Sequence, residues 1–255
     1  MKSILIMFSV YSRIPIPGIV WDEKSARYAI CSFPLVGIVI AALEWGLLTV
    51  ARMFSVPQTA LAALIMAVPI LVTGGIHLDG LIDTADAANS YKTAEEKQQI
   101  LKDPHVGAFG VIRLILYLLL AFAGISIYLS TDPDKEGLWA SLLIFVLARA
   151  LSGLAAESFE KAKKDGMLTG LLGDKTKKSA LVLLLTQSLV CVGVMAYLSL
   201  TETLFVLVLL LLLMIYFRFV LCKAFGGISG DLSGWFLCMA ELLGIWGFVI
   251  AGWIV

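Results

Sequence analysis

Charge is scarce in this chain. Of its 255 residues only 15% are Asp, Glu, Lys or Arg, against roughly a quarter in a soluble domain. Neither sign is in excess, with nineteen basic and nineteen acidic side chains, so there is no electrostatic footprint for nucleic acid. The composition excludes a secreted disulfide scaffold, and the four cysteines (Cys31, Cys191, Cys222 and Cys238), scattered through apolar runs without a Cys-x-x-Cys spacing, suit buried small hydrophobes. Alternation of apolar and polar residues is also missing: Leu207–Met214 has no period of two, which excludes a β-barrel. No repeat, low-complexity tract or long linker divides the chain, and one domain over 1–255 is expected.

Hydrophobic length is abundant. Hydrophobic residues make up 60% of the chain and its mean hydropathy is +0.96. A helix needs about 20 apolar residues to cross a bilayer core, and seven runs approach or exceed that length: 28–51, 56–76, 108–130, 138–157, 179–200, 203–222 and 233–255. Only six charged side chains fall inside them, Glu44, Arg113, Arg149, Glu157, Arg218 and Glu241. The expected fold is all-α, a polytopic transmembrane bundle of about seven membrane helices with its catalytic loops on the cytoplasmic side. Orientation follows Lys and Arg. Segments 1–27, 77–107, 158–178 and 223–232 carry fourteen of them, and the opposite connections carry only Arg52 and Lys135. The expected location is therefore the cytoplasmic (inner) membrane, with those four segments inside. Residues Met1–Tyr11 read as an interfacial segment on the same face.

Chemistry concentrates in Gly74-Gly75-Ile76-His77-Leu78-Asp79-Gly80-Leu81-Ile82-Asp83-Thr84-Ala85-Asp86. On a helix, Asp79, Asp83 and Asp86 at i, i+4 and i+7 lie within a stripe of about 60°. Such a spacing suits a solvated face, but no Lys or Arg stands between Arg52 and Lys92 to balance it. Like charges this close repel, and a hard divalent cation removes the repulsion; oxygen ligands on one face suit Mg2+, which keeps waters and takes substrate phosphates. The Gly-Gly break before the block fits irregular backbone lining a polar cavity.

A second stretch, Lys102-Asp103-Pro104-His105-Val106-Gly107-Ala108-Phe109-Gly110-Val111-Ile112-Arg113, reads as a helix start with Asp103 as N-cap and Pro104 at the first helical position. Free backbone N–H groups there suit a phosphate, with Gly107 and Gly110 allowing close approach and Arg113 adding a cation. The two histidines of the chain, His77 and His105, fall in these stretches and are either structural or catalytic. A third stretch, Gly226-Gly227-Ile228-Ser229-Gly230-Asp231, is a flexible connection or a phosphate cradle, with Asp231 able to join the metal shell. Arg149 and Arg218 inside apolar runs snorkel or face a pyrophosphate. The basic loop 158–178 serves orientation or gathers an anionic substrate. Together these residues point to a Mg2+-dependent transferase acting at the inner membrane face on a phosphorylated substrate.

The blocks Phe8-x-x-x-Ser12-Arg13-Ile14-Pro15-Ile16-Pro17, Phe33-Pro34-Leu35-Val36-Gly37, Gly74 to Asp86, Asp103-x-x-x-Gly107-x-x-Gly110 and Gly226-Gly227-x-x-Gly230-Asp231 resemble the cobalamin synthase family, the adenosylcobinamide-GDP ribazoletransferases, in order and over nearly the whole chain. Leu78 stands where the family pattern carries an acid. The resemblance implies attack by a ribose hydroxyl of α-ribazole or its 5′-phosphate on the cobinamide-side phosphate of adenosylcobinamide-GDP, with Mg2+ required and GMP released. On this reading Asp79, Asp83 and Asp86 hold Mg2+, with Asp103 or Asp231 completing the shell, and His77 or an aspartate takes the hydroxyl proton. Arg13 (by resemblance), Arg113 and Arg149 bind phosphate. Other corrinoid-pathway enzymes and further copies of the chain are open as partners. Two rivals stand beside it: a prenyl- or CDP-alcohol-type transferase, whose Asp-Gly-x-x-Ala-Arg arrangement is not matched after Gly80, and a corrinoid transporter, which calls for midplane acids and repeated halves.

Overall fold

The computed structural model describes residues 2–16, 18, 23–26, 28–162, 171 and 177–254. Most of the basic loop 158–178 lies outside these residues. Helix α1 is Lys2–Tyr11, α2 Phe33–Met53, α3 Gln58–Thr73, α4 Ile76–Ala88, α5 Ala94–Ile100, α6 Ala108–Ser130, α7 Lys135–Leu142, α8 Ile144–Ser158, α9 Lys177–Leu198, α10 Leu200–Tyr216 and α11 Gly230–Ile254. Among the described residues there is no strand, and the one isolated bridge joins Lys161 to Ile228. The fold is all-α, as expected.

Six segments are long and apolar enough to cross a membrane: Ala29–Met53, Ala108–Ser130, Lys135–Ser158, Lys178–Leu198, Leu200–Cys222 and Gly230–Ile254. The chain is a multi-pass membrane protein. Rows of exposed apolar side chains on α6, α9 and α10, among them Leu119, Leu189 and Leu211, suit a lipid-facing surface. The four cysteines are buried and free.

The remaining apolar run, 56–76, is not a straight span. Helix α3 ends at Gly74 and α4 leaves it at 92°. Two consecutive residues in the left-handed region make the corner, Gly74 at φ 68° and Gly75 at φ 80°, a conformation that costs any residue with a Cβ about 1–2 kcal/mol. The Gly74 and Gly75 amides both return to the Ile70 carbonyl, which satisfies the orphan acceptors of the helix end. Helix α4 therefore turns away from the axis of α3 at this corner. It packs chiefly on α11 and α6.

Backbone contact holds α4 to α11. A Cβ on Gly80 would stand 2.6 Å from the Asp231 carbonyl oxygen, and one on Gly234 would stand 3.2 Å from the His77 carbonyl oxygen. Small residues at such crossings let helices approach closely where lipid supplies no hydrophobic drive. The contact sets the first turn of α11, with Asp231, against the His77–Asp83 face of α4.

Candidate active site

A cavity of about 240 Å3 opens at the α4–α11 contact, lined by Tyr11, Phe33, His77, Asp79, Asp231 and Ser233 among others. Asp79 is exposed, and Asp83 and Asp231 are half-buried. Burial, then the charges of Asp79, Asp231 and Asp86 in that order, push the Asp83 carboxyl up to about 6. Three carboxylates thus act on a fourth, Asp83, at the junction of two helices. Among the described residues no three His, Cys, Asp or Glu side chains form a ready-made metal cage. Hard, mutually repelling oxygen donors nevertheless fit Mg2+, which binds through one or two carboxylates and completes its shell with waters and phosphate oxygens.

Asp86 is placed differently from Asp79 and Asp83. Its Oδ2 accepts from the Gly107 amide and its Oδ1 from the Gly110 amide, each at 2.8 Å. A carboxylate from another helix therefore caps α6, where charge and orphan N–H groups favour it. A Cβ on Gly107 would meet an Asp86 oxygen at 2.4 Å, and one on Gly110 would meet the other at 2.5 Å. The two glycines admit the carboxylate of Asp86, and their amides are not free for a phosphate.

The expected helix start at Asp103 is also displaced. Helix α6 begins at Ala108 with Gly107 as N-cap, and Asp103 lies upstream in an exposed turn. It accepts from the His105 amide at 3.0 Å and lies 2.7 Å from the His105 ring; these bonds hold its carboxyl below the usual range. Asx-turn bonding of this kind competes with helix capping. His105 itself is 89% exposed, away from the cavity residues. Arg113 is exposed on α6.

His77 is buried beside the carboxylates. Tyr11 stacks on its ring at 5.6 Å and 19°, with Phe33 tilted at 5.7 Å. Burial, with the charge of Arg149 behind it, pushes the imidazole down to about 3, so it stays neutral. Its Nε2 meets no hydrogen-bond partner. Tyr11, raised to about 12 by burial and then by Asp231, keeps its proton.

Arg13 reaches the corner from α1: its amide donates to the Val72 carbonyl at 2.7 Å, and its side chain lies over Gly74. The Gly-rich turn is pinned rather than loose. The Gly227 amide donates to the Cys222 carbonyl at 2.8 Å, and Ile228 pairs with Glu160 at 2.7 Å. A Cβ on Gly227, whose φ is 136°, would stand 2.5 Å from the Ala162 nitrogen. Gly227 is thus a packing residue here, while Gly230 opens α11 beside Asp231 with nothing within 4 Å of its Cβ position. Arg149 lies deeper, bonded to Glu241 at 2.8 Å, and does not line the carboxylate cavity.

Sequence reasoning missed Tyr11 and Ser233, and named Glu241 as a charge inside a run without giving it a role. Tyr11 precedes the Ser12–Pro17 block directly, but a tyrosine at the end of a short apolar stretch carries no signal of its own. Glu241, an acid inside a span, carried a signal of the kind that singled out Arg149.

The family described as cobalamin-5-phosphate synthase matches residues 3–249. An adenosylcobinamide-GDP ribazoletransferase of Lachnoclostridium phytofermentans is 37% identical over 254 residues, covering 98% of this chain and 94% of the relative. One from Clostridium perfringens is 33% identical, covering 96% of each chain, and one from Listeria monocytogenes is 32% identical, covering 98% of this chain and 100% of the relative. No solved structure matches the chain. The chain belongs to the cobalamin-5-phosphate synthase family.

Proposed function

We propose that this chain is a Mg2+-dependent ribazoletransferase with its active face on the cytoplasmic side of the cytoplasmic membrane. A ribose hydroxyl of α-ribazole or its 5′-phosphate attacks the cobinamide-side phosphate of adenosylcobinamide-GDP. The new P–O bond forms as the bond to GMP breaks, the hydroxyl loses its proton, and GMP leaves. The observation that carries the reading is that Asp79 and Asp231 line one cavity at the α4–α11 contact and that both raise the carboxyl of Asp83 beside them.

Asp79, Asp83 and Asp231 would hold Mg2+, which when bound neutralises charge on the phosphate undergoing transfer and on the departing one. Asp86 fixes α4 against α6 and so sets where the other carboxylates point. The neutral His77, with its Nε2 unmet, accepts a hydrogen bond from the attacking hydroxyl; an aspartate is the alternative acceptor of the proton. Arg13 contributes positive charge at the corner of the site. The Lys and Arg bias supports the cytoplasmic orientation.

Turnover of the lipid-reconstituted protein with adenosylcobinamide-GDP and α-ribazole, with and without Mg2+, tests the proposal. Mg2+-dependent GMP release matched by cobalamin formation is expected. No release from folded protein under any condition overturns it.

A further inference from the structure

On the other side of His77 a second cavity, of about 100 Å3, runs into the bundle between α2, α3, α6, α8 and α11. His77 lines both cavities. Most of the inner wall is hydrocarbon, with Ile65, Ala121, Leu142 and Ile245. Glu44, Arg149 and Glu241 interrupt it, together with the hydroxyl-bearing Tyr117, Tyr128 and Ser141.

Arg149 is fully buried; one nitrogen, Nη1, donates to Glu241 and to the Phe145 carbonyl, both at 2.8 Å. Its Nε and Nη2 meet no partner, nor does Oε1 of Glu44, a residue only 2% exposed. A buried polar group left without a partner is destabilising, more so where it carries charge. Ionisable groups inside a membrane bundle mark ligand sites by default.

The chemistry of the occupant follows from this wall. An acyl chain has no polar atom to offer the unmet groups. A phosphate is disfavoured, because Glu241 already neutralises Arg149 and Glu44 adds a second carboxyl. A flat, fused aromatic heterocycle fits: apolar faces for the aliphatic wall, and one ring nitrogen to share a proton with a carboxyl. Distance agrees as well. Glu241 lies ten residues beyond Asp231 on α11, about 15 Å by helix rise, and His77 between them lines both cavities, so a riboside whose base lies inside presents its sugar to the carboxylates.

We propose that the interior cavity is the subsite for the aromatic base of the acceptor riboside, with its ring nitrogen facing Glu44 and its sugar passing His77 into the carboxylate cavity. This rests on the transferase reading above, in that the acceptor is a riboside. Glu44 and Arg149 are then specificity residues for the base.

Binding of radiolabelled α-ribazole, and its displacement by benzimidazole, tests the inference on lipid-reconstituted full chain in the presence of a chelator, so that no turnover is needed. Ala121→Leu fills the cavity and Glu44→Leu removes the carboxyl. Each is expected to weaken α-ribazole at least tenfold while adenosylcobinamide-GDP affinity and thermal midpoint hold. Glu44→Gln, which keeps the size of the side chain, is expected to weaken it at least threefold. Wild-type affinity for α-ribazole in all three variants, alongside normal GMP release by the wild type, overturns this inference alone. Equal loss of both substrates also overturns it. Wild-type protein that binds neither α-ribazole nor benzimidazole and releases no GMP overturns the transferase reading together with it. Benzimidazole binding that the variants lose, from a wild type that releases no GMP, supports the cavity and overturns the transferase reading.

Discussion

Two polar regions meet at His77, and they handle charge in opposite ways. Around the carboxylate cavity the acids stand on the helix that follows the Gly74–Gly75 corner and on the first turn of another, and Asp79, Asp231 and Asp86 raise the pKa of Asp83. In the interior cavity a guanidinium lies against Glu241, with a further acid near. Helix ends have backbone N–H groups to spend on an acid, as Gly107 and Gly110 do on Asp86; the middle of a span has none, so its acids need a side-chain cation. On the proposed reading the first region takes a cation and phosphate. The second is already close to neutral and suits an uncharged ring.

The largest effect that sharpens this contrast is on chemistry. Asp83→Asn should lower GMP release by about 10²–10³-fold while the protein still inserts and folds. Near-normal turnover would remove Asp83 from the machinery. A smaller change in turnover is expected of Asp86→Asn, which leaves Asp79, Asp83 and Asp231 in place. If Asp86→Asn fell as far as Asp83→Asn, the capping carboxylate would be a metal ligand as well.

The interior region should respond in stability. Arg149→Met alone leaves Glu241 buried without its cation and should cost about 3–5 kcal/mol, whereas Arg149→Met with Glu241→Leu should recover most of it. A chemical-denaturation cycle in detergent reads the coupling, and additive losses would mean that the 2.8 Å contact contributes no pairing. Asp86→Ala strands two amides at the start of α6 and should cost about 1–2 kcal/mol; an unchanged thermal midpoint would mean that water replaces the cap.

How much of this was legible in the sequence depended on whether the information was local. Apolar length gave the helices. The Asp79–Asp83–Asp86 stripe was visible because helical periodicity is local. The Gly74–Gly75 break was legible as a break, but not as a 92° corner, because two glycines permit many directions and only packing on α11 selects one. Asp86 looked equivalent to Asp83 because both lie on the stripe; its partners are 21 and 24 residues away, and no local pattern encodes them. The Asp103-Pro104 start was misread because Asp103 bonds to His105 instead, a competition that composition does not decide. Glu44 and Arg149 were visible as charges inside spans, while their place on one cavity is a tertiary fact.

The smallest effect is a pH dependence that separates the two regions without any substrate. Asp83 has its folded-state pKa raised to about 6 from 3.8, chiefly by burial and then by Asp79, Asp231 and Asp86. Between those values the folded protein holds a proton that the unfolded chain has released, so stability falls as pH rises through the window and is regained on acidification. With divalent cations chelated, the thermal midpoint should therefore rise as pH is lowered from 7 towards 5, and Asp83→Asn should flatten that slope. Saturating Mg2+ should flatten it too, since a cation among the carboxylates relieves the repulsion that the proton otherwise relieves. Because Asp83 remains partly open to water, screening keeps the slope shallow. A midpoint that falls on acidification, or a slope that survives Asp83→Asn, would move the source of the dependence away from the carboxylate cavity.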